Sequence, residues 1–440
     1  MKKRKQPLRR RLSMASMAML LVTLIALAGC AAFMLAISGS EMTSRAHEVS
    51  RLIAETGARL AEHEPQLIPE VQRARTAANP LPPAQQEPIA QEPPAQQSTS
   101  VTLTLAAAGA VYAPKAVREG TRTATGEYDF SPVFAGLGDT LETADLSIVT
   151  LETMTSGDKK DSGNYNAPAS LLNALRERGV NVVSLGTERV LDSGYAGLEI
   201  TKSELTARGM THVGADGGAA MLFVSGVQIA VLSYTYGLSD ESKAAASPQD
   251  QAQIPLLDMA RVTQDIRQAR ADGANLVIVL PHWGTKNKQE TPQELRRMAQ
   301  EMAAAGADVI LGTHPNVVQG TERLMVTRAD GLEYETVVCY SLGSLLTDAR
   351  TEENTAGMIA RLQITYDPQA RRVRLGALAC LPAYIARTRE DGQYVWRVVD
   401  VENAQALEPL EESEQAAAQA AASRVREVTG QSDMEEAGQG

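Results

Sequence analysis

Five histidines, three cysteines and a scatter of carboxylates are what this 440-residue chain offers for metal or acid–base chemistry. Two histidines directly follow apolar runs, in Pro281-His282-Trp283-Gly284 and in Gly312-Thr313-His314-Pro315-Asn316. An imidazole so placed can ligate a metal, move a proton or hydrogen-bond an anion. The plainer reading of either motif is a core histidine with one satisfied nitrogen, and by themselves the motifs favour it. Other apolar runs end in Gly109-Ala110, Thr150-Leu151-Glu152, Gly186-Thr187-Glu188-Arg189 and Tyr340-Ser341-Leu342-Gly343-Ser344. By itself Arg189 reads as a surface ion-pair residue, Asp192 as a helix cap and Asn166 as a turn former. Glu152 reads equally as a cap or a ligand. His47, His63 and His212 have no supporting pattern. Three cysteines exclude a four-thiolate zinc site and a disulfide scaffold, while Cys339 and Cys380 leave pairing and two buried thiols both open. No P-loop, dinucleotide fingerprint or Ser-His-Asp set occurs.

The elements that must position these residues alternate. Strand-like runs at 146–151, 180–185, 229–234, 276–280 and 309–311 take turns with helix-like runs at 131–143, 168–178, 194–208, 257–272 and 292–305. Alternation of this kind predicts an α/β sheet with helices on its faces. In such sheets ligands sit beyond the carboxyl ends of the strands, which is why the strand ends matter. Past residue 330 the pattern becomes strands at 334–342, 357–366, 372–381 and 394–399, joined by turn pairs such as Asp367-Pro368 and Asp391-Gly392.

Charge divides the chain further. The first eleven residues carry seven basic side chains and no acidic one, so the rest holds −18 of a total of −11. An acidic body argues against nucleic acid as a partner. Residues 14–37 contain no charge and are long enough to cross a hydrocarbon core of about 30 Å. With 1–13 as a cytoplasmic basic tail, a span at 14–37 makes a signal anchor, places the protein in the cell membrane with a single pass and puts the main domain outside. Leu27-Ala28-Gly29-Cys30 offers the rival reading of a lipidated cysteine, but the run stays apolar beyond it. Residues 38–100 read as a stalk followed by a Pro/Gln-rich spacer; eight of the 20 prolines fall within 65–100. The body is expected over 101–402, and 403–440 is expected to be an acidic Ala/Glu/Gln-rich disordered or weakly helical tail.

Six segments in order carry a resemblance. They are Asp145-Leu-Ser-Ile-Val-Thr-Leu-Glu152, Tyr165-Asn-Ala-Pro168, Val182-Val-Ser-Leu-Gly186 with Leu191-Asp192-Ser-Gly194, His282-Trp-Gly284, Ala305-Gly-Ala-Asp-Val-Ile-Leu-Gly-Thr-His-Pro315 and Tyr340-Ser-Leu-Gly343. Over about residues 101–385 the chain resembles the CapA proteins of capsule and poly-γ-glutamate biosynthesis. The resemblance implies a metallophosphatase-like fold, a four-layer αββα sandwich. It also exposes departures. Ala110 stands where the family has Asp, Thr150 where it has Asn, Thr187-Glu188-Arg189 where it has Asn-Asn-His, Lys286 where it has Glu, and Asn316 where it has a second His.

Two divalent ions need charged oxygen and imidazole ligands to offset them. The replacements therefore imply a degenerate, cationic pocket without a di-metal centre, expected to need no cofactor, with room for one weakly held divalent ion on His282, His314 and Glu152. The expected ligand-binding residues are His282, His314, Glu152, Arg189, Lys286, Asn316 and Asn166. The expected function is capsule or poly-γ-glutamate synthesis or export, by binding an anionic polymer or its precursor beside membrane partners of capsule synthesis. The alternatives are an active metal-dependent phosphoesterase or amide-ligase component, and a structural envelope scaffold.

Overall fold

The computed structural model describes residues 100–155 and 166–431. The expected basic tail, membrane span and stalk (1–13, 14–37 and 38–100, apart from residue 100) and the last nine residues lie outside them. No helix among the described residues is long and apolar enough to cross a membrane.

The chain builds one sheet, leaves it for a second, and returns to the first. β1 (Val101–Val111), β2 (Leu146–Leu151), β3 (Val182–Ser184) and β4 (Thr211–Val213) run parallel. The crossovers carry α1 (Ser170–Glu177) and α2 (Gly194–Ala207). β5 (Ala220–Val224) then opens the second sheet with β6 (Val227–Thr235), β7 (Leu276–His282), β8 (Val309–Leu311), β9 (Thr321–Thr327) and β10 (Glu333–Cys339), in the order β5-β6-β7-β8-β10-β9. α3 (Met259–Ala271) and α4 (Gln293–Ala305) join its central strands. β11 (Ser344–Leu346), β12 (Ala356–Asp367), β13 (Arg372–Glu390) and β14 (Gln393–Asp400) return to the first sheet. It reads β14-β13-β12-β1-β2-β3-β4, with β11 beside β1.

Side-chain alternation along the strands produces the layers. Leu103, Leu105 and Ile148 of the first sheet share one buried cluster with Ile229, Leu276, Ile278 and Val309 of the second, so the two sheets face each other. The intervening residues point outward. Ala106, Val149 and Val183 pack under Leu171, Leu175, Leu198 and Leu205 of α1 and α2. Val277, Val279 and Ile310 pack under Val262, Ile266, Met302 and Ala303 of α3 and α4. Strands buried on both faces explain why β7 reads as an unbroken apolar run.

Two expectations change. The helix expected over 131–143 is one turn at Ser131–Phe134 followed by a tight turn at Ala135–Leu137, and Gly138 at φ +57° ends it. The tail expected over 403–440 is instead ordered to residue 431 and contains α5 (Glu412–Thr429). Ala418, Ala421, Ala422 and Val425 form a buried stripe on it, against the inner face of β12 and β13. Glu414 accepts from Tyr384 Oη at 2.7 Å, Gly430 closes the helix in the left-handed region, and Thr429 O accepts from Thr321 of β9. Alanine is the best helix former and its small side chain permits close approach, so a stripe with little hydrophobicity still docks.

Candidate functional site

Both sheets present the carboxyl ends of their parallel strands to one place. Glu152 follows β2, and Glu188 and Arg189 lie a few residues beyond β3; Tyr236 follows β6, His282 ends β7 and His314 lies beyond β8. The backbone fixes them. Thr235 pairs with His282, and Tyr236 N donates to His282 O at 2.9 Å. His282 bridges to Thr313, and Trp283 N donates to Thr313 O at 3.0 Å. Ser239 N donates to Glu188 O at 2.8 Å, tying the loop after β6 to the loop after β3. The glycine of the Gly312-Thr313-His314 motif is needed for a close approach: a Cβ there would lie 2.1 Å from Tyr340 O.

The side chains form one continuous polar cluster. His314 Nδ1 lies 3.1 Å from His282 Nε2, and His282 Nδ1 lies 3.1 Å from Thr313 Oγ1. Glu188 accepts from both Lys286 Nζ and Tyr236 Oη and lies 3.9 Å from His314 Nδ1. Arg189 pairs with Asp192 at 3.2 Å and lies 4.0 Å from Glu152 and 3.9 Å from Glu188, with Tyr112 under its guanidinium. Asp192 also accepts from Ser239 and Ser242. The Tyr236 ring lies against both imidazoles, tilted on His314 at 4.5 Å between centroids and near-parallel to His282 at 6.3 Å. Glu152 Oε1 is buried, 4.0 Å from His282 Nε2, and has no hydrogen-bond partner among the described residues.

Burial sets the protonation pattern. It pushes the Glu152 carboxyl up to about 7, against the pull of Arg189. It acts in the same direction on Glu188, but the hydrogen bonds from Lys286 and Tyr236 outweigh it and hold that carboxyl below its ordinary value. Burial takes His282 well below the usual imidazole range, with the neighbouring His314 next in effect. It brings His314 down to about 4, although Glu188 opposes it. Both imidazoles are therefore neutral at pH 7, and Glu152 is poised to titrate there.

Backbone strain concentrates in the same loops. His314, Asn316 and Asn287 adopt φ of +99°, +62° and +58°, where side chains other than glycine are uncommon. Asn354 braces two of them, donating from Nδ2 to Asn287 Oδ1 at 3.0 Å and to Asn316 O at 3.2 Å. Strain of this sort persists where the surroundings over-determine it, and functional sites are where it gathers.

Of the seven residues singled out in the sequence, Glu152, Arg189, His282, Lys286 and His314 meet in this cluster. Asn316 belongs to the braced loop beside it through its backbone carbonyl. Asn166 bridges to Met154, two residues past Glu152, and its carbonyl accepts from Arg118. The pocket is not the cationic one expected. Two cations face three carboxylates, and both cations are paired, because Glu188 and Asp192 supply counter-charges that reading Arg189 and Lys286 alone left out. Tyr236 was also missed, although it stands just past the strand-like run at 229–234, where the strand-end argument points.

A family model described as "Bacterial capsule synthesis protein PGA_cap" matches residues 104–349. The capsule biosynthesis protein CapA of Bacillus anthracis is 26% identical over 210 residues, covering 46% of this chain and 48% of that protein. The PGA biosynthesis protein CapA of Bacillus subtilis (strain 168) is 27% identical over 181 residues, covering 40% and 44%. The chain thus spans less than half the length of the curated relatives it matches. Among solved structures, the calcineurin-like phosphoesterase YfkN from Bacillus subtilis aligns with a TM-score of 0.37 at 11% identity, over 74% of this chain and 100% of that one.

Proposed function

The chain belongs to the PGA_cap family of bacterial capsule synthesis proteins, and from that premise we propose that it serves capsule or poly-γ-glutamate production by binding an anionic polymer or its precursor at the cluster between the two sheets. The observation that carries this reading is the Lys286–Glu188 pair. Its ammonium end is 41% exposed at the mouth, while its carboxylate end is buried beside His314 and Tyr236. An arriving carboxylate can take over Lys286 while Glu188 keeps its bond from Tyr236. Glu152, near half-protonation at neutral pH, can donate to a ligand oxygen in its acid form.

The donors present do not fit a pair of divalent cations. Glu188 already receives Lys286 and Tyr236, Asp192 receives Arg189 and two serine hydroxyls, and among the described residues no three metal-ligating side chains gather about one point. In this reading Lys286 and Arg189 supply the positive charge that ions would bring, and no hydrolytic step is assigned. Residues 14–37 anchor the protein in the membrane, the domain works outside the cell, and membrane partners of capsule synthesis act beside it.

Calorimetric titration of the full chain with poly-γ-glutamate tests the reading. Binding should weaken as salt rises, and Lys286→Met should weaken it about tenfold. Unchanged affinity in that variant removes this cluster from the account.

A further inference from the structure

At the opposite end of the second sheet, where β7 and β8 begin, five arginines line one concavity of about 390 Å³. Two of them hold the fold. Arg270 donates to Gly306 O, Ala274 O and Asn275 O and pairs with buried Asp308. Arg328 donates to Ala303 O and Ala307 O and pairs with the other oxygen of Asp308 at 3.1 Å. Both therefore cover carbonyls at the carboxyl ends of α3 and α4, and Asp308 is spent between them.

The remaining three differ. Arg372 lies 4.5 Å above one face of Tyr334, whose ring also stacks 4.3 Å from Arg328, and Tyr334 Oη is fixed by Asp330 at 2.6 Å. Arg372 makes one further bond, to Glu333 O at 2.7 Å. The side chains of Arg267 and Arg371 are exposed and have no hydrogen-bond or ion-pair partner among the described residues. Asp308 and Asp330 are the acidic residues that line this concavity with the five arginines, an excess of three positive charges within it on a chain whose net charge is −11, and Arg372 also stands opposite Asp367 in the β12–β13 pair. Like charges repel, so gathering Arg267 and Arg371, which have no ion-pair partner among the described residues, beside the other three costs stability that a bound anion recovers. An adjoining concavity of about 580 Å³ is lined by Glu333, Glu335 and Asp367 as well as Arg372 and Arg374, and it would repel a long polyanion.

We propose that this basin binds a compact, multiply charged oxyanion, carboxylate or phosphate, between Arg267, Arg371 and Arg372, separately from the cluster at the strand ends. Guanidinium groups suit both chemistries because their paired N–H donors match two oxygens of either. Arg372 is held in place by the Tyr334 stack, and Arg267 and Arg371 close on the ligand from α3 and from the β12–β13 turn.

The test uses the full chain at low ionic strength with two probes, inorganic triphosphate and a γ-linked glutamate trimer, read by calorimetry. The wild type should bind at least one of them, and the preferred probe identifies the source of the anion. Arg267→Gln with Arg371→Gln should weaken that binding about tenfold with no fall in melting temperature, since neither side chain holds the fold and losing two like charges relieves repulsion. Lys286→Met should leave it unchanged, which separates this site from the one proposed for the polymer. Equal affinity of the double variant and the wild type overturns the proposal, and so does an absence of binding for both probes.

Discussion

Replacing Glu152 by Gln should stabilise the protein at pH 8 and change it little at pH 4.5. The wild-type carboxyl is buried and sits at about 7 in place of an ordinary 4.5. A carboxyl whose folded value is raised contributes stability that is present below the unfolded value and lost as pH rises through the folded one. Between pH 4.5 and 8 the wild type should therefore lose about 3 kcal/mol through this group alone. Gln has the same shape and does not titrate, so its curve lacks that loss. His282 and His314 act in the opposite direction: both are held low by burial, so their stability is present above the ordinary imidazole value and lost as pH falls below it. They remain in both proteins and largely cancel when the two curves are subtracted. The assay is urea unfolding of wild type and Glu152→Gln at half-unit steps across this range, with coincident fluorescence and circular dichroism transitions as the two-state check. The difference should grow from near zero to about 3 kcal/mol, centred between pH 5 and 7. Parallel curves would refute the reasoning, since they would mean that Glu152 ionises as it does in water and that the space around it is wet.

Other outcomes follow from the same geometry. His314→Gln should flatten the loss of stability below pH 6, because one fewer imidazole must charge on unfolding; the same unfolding series measures it. Gly312→Ala should cost about 3 kcal/mol or more, because the added methyl lies 2.1 Å from the Tyr340 carbonyl, and the thermal midpoint reads this. Ala421→Glu should cost a similar amount by burying a carboxylate between α5 and the first sheet, whereas Ala420→Glu on the exposed side should leave the midpoint within about a degree. A chelator should leave the melting temperature of the wild type where it is; a fall of several degrees would show that a metal ion holds the fold and would remove the account of Lys286 and Arg189 as the resident cations.

Much of the architecture was legible because period and burial leave marks on composition. Strands 146–151 and 309–311 coincide with the apolar runs, and the helices over 170–177, 194–207, 259–271 and 293–305 lie within the expected ranges. β3 is shorter and β13 longer than read, because hydrogen bonding to a neighbour, not side-chain type, ends a strand. The short strands β4 and β11 and the edge strands β5 and β9 left no comparable mark. α5 escaped because its buried stripe is almost entirely alanine, which reads as weakly apolar until a neighbour close enough to need it is known.

The local chemistry divides in the same way. Position relative to strand ends drew attention to Glu152, Arg189, His282 and His314, since parallel strands deliver their carboxyl ends to one rim whatever the loops do, but it took the resemblance to the CapA proteins to single them out as site residues and to add Lys286. The sign of the pocket was not available from the chain. Whether Lys286 and Arg189 stand as free cations or as halves of ion pairs depends on Glu188 and Asp192 facing them across less than 4 Å. Glu188 and Lys286 are 98 residues apart and come from different sheets, and Coulomb energy depends on separation in space, which only the packing of one sheet on the other sets.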